Sequence, residues 1–312
     1  MIARRYRDLN SHLRQRFGCR VQRIALDAGL TCPNRDGTKG TGGCIYCNPR
    51  GSGTGLSGTL SITQQLQRGK ERLARRYKAK KFIAYFQSFS NTYAPVEKLK
   101  GLYREALAVE DIVVLAIGTR PDCMPPEVLD LLEELNKETC LWVECGLQSV
   151  HEATLKRINR GHTVEDFLQA VEETRQRGIE VVVHVILGLP GEGKEEMLAT
   201  ARALGEMDIQ GVKLHLLYVI QGTPLARLYQ RGEYQCLVRE EYVDIVCEFL
   251  ALLSPHVVIH RLTGDPHLRE LLAPTWALEK QANFKVINQT LEARDLWQGK
   301  WWKGVCKEGR DF

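Results

Sequence analysis

The stretch TVEDFLQAVEETRQRGIEVVVHVILG, residues 163–188, carries the repeating unit of the fold. Residues 163–177 form an amphipathic run of helical length, and Thr163 is placed to cap the opening amides with Asp166 three positions on. Residues 179–188 follow as a nearly continuous apolar, β-branched run, the mark of a strand buried on both faces. A helix that feeds such a strand is half of a βαβ unit.

The unit recurs in both directions. Strands are expected at 21–28, 81–88, 111–118, 140–147, 179–188 and 211–219. Helices are expected at 61–77, 95–108, 125–137, 163–177, 194–205, 223–231 and 239–253, with Pro95 and Pro125–Pro126 at first-turn positions. Six such units are too few for a closed eight-stranded barrel and fit a partial (β/α)6 TIM-like barrel of the α/β class. Beyond 255 the pattern changes to a short strand at 257–263, a turn at Gly264-Asp265-Pro266 and a terminal helical segment. The expected division is a basic N-terminal segment at 1–20, the barrel at 21–254, and a C-terminal extension at 255–312 packed on it.

With 312 residues, 44% hydrophobic and 26% charged, the chain has enough apolar residue for a large core. The net charge of +5 is concentrated. Residues 1–23 hold seven arginines against Asp8, and residues 68–81 hold eight basic residues against Glu71. Either run alone reads as a solvated face; two in one chain point to a polyanionic partner. The N-terminus has no apolar signal-peptide core, and no run approaches the roughly 18–20 apolar residues of a membrane span. A cytoplasmic, reducing location is expected, where the grouped members of the ten cysteines read as metal ligands.

In parallel αβ folds the loops after the strands carry the chemistry. After the first strand comes LTCPNRDGTKGTGGCIYC, residues 30–47, with Cys32, Cys44 and Cys47 spaced x11 and x2. Three thiolates hold three irons of a [4Fe–4S] cubane and leave the fourth iron open to the amino and carboxylate groups of S-adenosylmethionine. A structural zinc site is the bland alternative, but it normally takes four protein ligands, and no second CxxC or HxxxH follows. A thioredoxin-like pair does not fit a long glycine-rich loop. The other seven cysteines have no cluster-like spacing.

The stretch ALDAGLTCPNRDGTKGTGGCIYC, residues 25–47, resembles radical S-adenosylmethionine enzymes, and more narrowly the YhcC/YtqA-type family with its MnmL-like tRNA-modifying members. Further family-like segments are residues 85–95, 118–122, 144–149, 160–163, 184–191, 222–224 and 260–265, so the resemblance spans nearly the whole chain. Several also resemble the radical domain of the elongator catalytic subunit, although the acetyltransferase domain that follows it there is not expected in this chain. The resemblance implies that Tyr46 stands against adenine and that Gln87, Ser88 and Asn91 receive the methionine amino group. Glu144 and Gln148 would meet the ribose hydroxyls or the methionine end, and Arg160 the methionine carboxylate. His184 joins this cofactor-binding set, and equally reads as a core histidine between valines. Glu144 or Arg160 also reads as part of a structural ion pair near the barrel rim, and His162 with Thr163 equally as a helix cap. Arg261 and Asp265 are turn residues or substrate contacts. No residue is singled out as a hydrogen-atom donor.

The implied activity is radical modification of the wobble uridine of tRNA, carboxymethylaminomethyluridine becoming aminomethyluridine. Basic segments 1–23 and 68–81 would grip the tRNA, and flavodoxin or ferredoxin would supply the electron. Two other readings stay open: the same chemistry on a small molecule or peptide, and a non-catalytic metal-containing RNA-binding protein.

Overall fold

The computed structural model describes residues 5–51 and 60–304; Arg4 of the basic segment, Cys306 and the last part of the extension lie outside them. The elements in chain order are α1 (Leu9–Phe17), β1 (Val21–Leu26), α2 (Ile62–Tyr77), β2 (Lys81–Phe86), α3 (Val96–Leu107), β3 (Ile112–Thr119), α4 (Pro126–Asn136) and β4 (Cys140–Gln148). Then come α5 (Glu152–Arg157), α6 (Val164–Gln176), β5 (Glu180–Leu187), α7 (Lys194–Glu206), β6 (Gly211–Leu216), β7 (Val219–Ile220), α8 (Pro224–Gln230) and α9 (Arg239–Leu252). The last are β8 (Val258–Arg261), β9 (Leu271–Ala273) and α10 (Lys280–Ala293). Strand order is β1-β2-β3-β4-β5-β6-β8, with β7 and β9 in a separate antiparallel pair. Each strand and helix expected from the sequence is present. The short strand after 255 is β8, which adds a seventh strand to the six expected.

The chain divides into two compact units, residues 9–147 with 159–184, and residues 1–8, 148–158 and 185–312. In the first unit β1, β2, β3 and β4 pair in parallel in sequence order. Side chains two apart share a face of the sheet. One face begins with an apolar layer of Val21, Ile83, Tyr85, Val114, Ala116, Trp142 and Val182, covered by Leu9, Leu13 and Phe17 of α1. Two positions further along β1, β4 and β5, the same face turns polar at Arg23, Glu144 and His184. Helix α2 starts in a capping box, Ser61 with Gln64, and ends at Lys78 in the left-handed region. Helix α6 opens with the expected box of Thr163 and Asp166.

In the second unit β6 and β8 are parallel neighbours joined through α8 and α9. Helix α9 packs between α7 and α10 on Tyr242, Val246, Phe249 and Leu250. The first described residues lie along β8: Asp8 bridges to Ile259, whose amide donates to the Arg7 carbonyl at 2.8 Å.

Candidate active site

The cysteines sit on the loop that leaves β1. Its path is fixed internally: the amides of Arg35 and Asp36 donate to the Cys32 carbonyl, Gly43 donates to the Asn34 carbonyl, and Cys47 to that of Cys44. The Arg35 guanidinium donates to the carbonyls of Cys47 and Asn48 at 3.1 and 2.6 Å. It lies so close to Gly43, a residue at φ +77°, that a Cβ there would meet Arg35 Nε at 2.8 Å. Only glycine serves at that point. Cys44 is buried, Cys32 and Cys47 are partly exposed, and none of the three is in a disulfide. Among the described residues no three His, Cys, Asp or Glu side chains, these cysteines included, are grouped as for a metal ion.

What surrounds Cys44 is cationic. Arg160, a buried residue, donates from Nη1 toward Cys44 Sγ at 3.7 Å, from Nη2 to the Gly146 carbonyl at 2.8 Å and from Nε to His162 Nε2 at 2.9 Å. Asn34 Nδ2 donates to Cys44 Sγ at 3.9 Å and to the Asn159 carbonyl. Burial works against the charge on Arg160, but Cys44 and Tyr46 hold its pKa above the ordinary value. Burial and then the charge of Arg160 push His162 down to about 3, so its imidazole is neutral. His162 Nδ1–H then donates to the Thr163 carbonyl at 3.0 Å, leaving Nε2 to accept from Arg160. A second layer lies beside it. Arg120 forks onto Asp122 with both contacts at 2.9 Å, donates to the Arg160 carbonyl at 2.7 Å, and shares Asp122 with Lys39 of the cysteine loop at 2.8 Å.

Two observations fit an anionic cluster with a bound amino acid. A buried guanidinium needs an anion close by, and thiolates bearing a metal cluster supply it. After β2, the Ser88 hydroxyl and Asn91 Oδ1 are buried and meet no hydrogen-bond partner. An orphaned acceptor costs on the order of 1–3 kcal/mol, which a ligand's ammonium would recover. Asn91 is aimed by its own Nδ2, which donates to the Gly118 carbonyl at 2.9 Å.

The other expected residues are placed as follows. Glu144 is wholly buried: Oε1 accepts from Trp142 Nε1 at 3.1 Å and lies 3.7 Å from Arg23, and Oε2 is 2.9 Å from His184 Nε2. His184 is therefore held by a buried carboxylate. Tyr46 is half-buried beside the thiols, and burial followed by Cys44 raises its phenol well above the usual range. Gln87 is half-buried, with its amide donating to the Leu26 carbonyl at 3.2 Å. Gln148 ends β4 buried and at φ +76°, a conformation that L side chains rarely adopt. Next to Cys32 a cavity of about 800 Å³ is lined by Thr31, Tyr93, Lys98, Asp122, Met124 and Gln169, among others. Sequence reading passed over Asn34, Arg35 and Lys39, which lie inside the x11 gap. Arg120 and Asp122 stood in a family-like segment without a role. Long-range contacts, such as Asn34 with Asn159, define these parts, and no local spacing reports them.

Known proteins match this chain along most of its length. Residues 35–204 match the model of the radical SAM superfamily, and residues 209–293 that of the radical SAM C-terminal domain. The YtqA protein of Bacillus subtilis (strain 168) is 43% identical over 306 residues, 98% of this chain and 95% of that one. The YhcC protein of Escherichia coli (strain K12) is 39% identical over 265 residues, 85% of each. Among solved structures, archaeal Methanocaldococcus infernus Elp3 lacking its first 46 residues superposes with a TM-score of 0.70 at 19% identity, covering 89% of this chain and 64% of that one. The fold is thus the partial TIM-like barrel of radical enzymes, which use a [4Fe–4S] cluster and S-adenosylmethionine and need an electron donor. With more than half its length matched by the family model and a full-length relative at 43% identity, the chain belongs to the radical SAM superfamily.

Proposed function

We propose that Cys32, Cys44 and Cys47 hold one [4Fe–4S] cluster and that the enzyme modifies the wobble uridine of tRNA, converting carboxymethylaminomethyluridine to aminomethyluridine. The observation that carries the cluster assignment is the buried Arg160 guanidinium directed at Cys44 within the three-cysteine loop. With both cofactors bound, the cluster would supply one electron to the sulfonium, releasing methionine, and the 5′-deoxyadenosyl group would take one hydrogen atom from the carboxymethyl carbon. Loss of a second electron to the cluster or the electron carrier and addition of water would then release the carboxymethyl part as glyoxylate. The chain's own residues bind and orient. Ser88 and Asn91, with Gln87 before them, take the methionine ammonium, and Arg160 takes the carboxylate with the donors it does not spend on His162, Gly146 and Cys44. Tyr46 packs against adenine. Gln148 meets the ribose, with Glu144 four residues before it on β4 and His184 three residues before the end of β5. Flavodoxin or ferredoxin is the proposed source of the electron.

The tRNA assignment rests on the YhcC/YtqA-type motifs and on exposed charge. On α2 and the turn after it, Arg68, Arg72, Arg75, Arg76, Lys78 and Lys80 are all exposed, so the basic run at 68–81 is a surface open to phosphates. Among the described residues no helix is long and apolar enough to cross a membrane.

The test is nucleoside mass spectrometry of tRNA incubated with anaerobically reconstituted protein, reductant and S-adenosylmethionine. Aminomethyluridine is expected to appear together with 5′-deoxyadenosine, from protein carrying about four irons per chain. Alanine at Cys32, Cys44 or Cys47 is expected to remove the iron and both products, whereas alanine at Cys236 leaves the iron in place. An unchanged nucleoside profile with an intact cluster rejects the tRNA reading, and iron retained by all three variants rejects the ligand assignment.

A further inference from the structure

The turn that follows α10 presents two tryptophans to solvent. Trp297 is 44% exposed and Trp301 40%, and they stand four residues apart in the run WQGKWWK, residues 297–303. Nothing about the turn is loose. Asp295 and Gly299 adopt positive φ angles of 47° and 85°. The amides of Leu296, Gly299 and Trp301 donate to the carbonyls of Leu291, Leu250 and Ala251. The Gln298 side chain is buried, donates to the carbonyls of Ser254 and Val257 at 2.7 and 2.8 Å, and accepts the Arg7 amide at 2.9 Å. The third ring, Trp302, turns inward, with its Nε1–H donating to the Gly205 carbonyl at 2.7 Å. A fixed backbone therefore sorts one indole into the unit and two out of it.

The exposed rings are set among cations. Lys300 lies over the Trp297 ring at 4.6 Å, Lys303 is exposed, and the backbone of Arg5 accepts from the Gln298 amide, which brings Arg5 and Arg7 to the same turn. The carboxylate of Asp295 is shared by Arg5 at 3.1 Å and Lys300 at 3.4 Å. Among the described residues the aliphatic neighbours Leu291 and Leu296 are buried, so the exposed chemistry is aromatic and basic rather than the aliphatic wedge of a lipid-inserting surface. Rigid aromatic rings interleaved with cations match unstacked bases joined by phosphates.

We propose that Trp297 and Trp301, with Lys300, Lys303, Arg5 and Arg7, form a stacking platform for a single-stranded segment of the RNA. The inference rests on the tRNA reading above and adds stacking rings that neither basic run supplies, although Arg5 and Arg7 come from the first run: the runs grip phosphates and these rings grip bases. Preorganisation by the pinned turn means that little side-chain freedom is lost when a base stacks.

The experiment is equilibrium binding of the full-length chain to bulk tRNA and to a short single-stranded oligouridylate, at several salt concentrations. The variants are W297A/W301A, W297F/W301F and K300Q/K303Q. The alanine pair is expected to weaken binding about tenfold or more with the salt slope unchanged, and the phenylalanine pair to retain most of the affinity. The lysine pair is expected to lower the salt slope by roughly 1–2. Because both rings are exposed, melting temperatures should stay close to wild type; should the alanine pair fail to fold, the lysine slope and the phenylalanine pair decide. Unchanged affinity in the alanine pair overturns the platform while the tRNA reading stands. RNA bound through the rings with no nucleoside modified supports the platform and rejects that reading. No RNA bound by wild type overturns both. Binding to phosphatidylglycerol vesicles in place of RNA, or self-association relieved by the alanine pair, overturns the platform in favour of a membrane or a second copy.

Discussion

A carboxylate enclosed between Arg120 and Lys39 sets the strongest residue-level expectation. Burial works to raise the Asp122 pKa, but Arg120 and then Lys39 bring it below the ordinary value. A carboxylate depressed in the folded state contributes stability that is complete above its unfolded pKa of about 3.9 and lost as pH falls through the lower folded value. D122N leaves Arg120, itself nearly fully buried, without its anion, a change of about 3 kcal/mol or more. Thermal unfolding should therefore show a large loss of Tm in D122N at pH 7, and the gap to wild type should narrow below about pH 4. At this scale the sequence disclosed what has chemistry of its own. The spacing of three cysteines in one loop is by itself what suggests the metal ligands proposed above, whereas Arg160 and Glu144 entered through resemblance. Asn34 and Arg35 were silent, because an amide and a guanidinium in a polar loop look like any others until residues 159–160 fold onto them.

Among the elements, the strands were the most legible. Buried on both faces, they read as apolar runs, and each lies within a few residues of its expected place. Helices α1 and α5 escaped notice for different reasons. The apolar residues of α1, Leu9, Leu13 and Phe17, are spaced like one helix face but stand among charges, and the six residues of α5 are shorter than any periodicity window. The β7–β9 pair joins strands of two and three residues some fifty positions apart, and no local pattern specifies it. Packing of α2 on β1 permits a direct test at Gly69. An alanine would gain up to about 1 kcal/mol of helix propensity, yet its Cβ would meet Ile24 Cγ2 at 2.5 Å. Ile24 is β-branched and buried, so it has little room to turn, and overpacking of about 1–3 kcal/mol should win. Urea unfolding of G69A is expected to give a lower midpoint with an unchanged m-value.

For the molecule as a whole, charge is distributed rather than merely present. The exposed arginines of α2 face outward while Arg23, Arg120 and Arg160 are drawn inside, so the net charge of +5 does not by itself say where the positive surface lies. Replacing Arg72, Arg75 and Arg76 together by glutamine should lower the slope of log affinity for tRNA against log salt by about 2–3 and leave the unfolding midpoint nearly unchanged. A slope equal to wild type would remove α2 from the RNA footprint. One last feature of the second unit concerns the order in which the protein is made. Arg5 and Arg7 hand their backbone to Gln298 and Ile259, partners separated from them by more than 250 positions. At the usual pace of translation the interval is on the order of 15–60 s. Residues 5–8 thus leave the ribosome long before the strand edge that they cover.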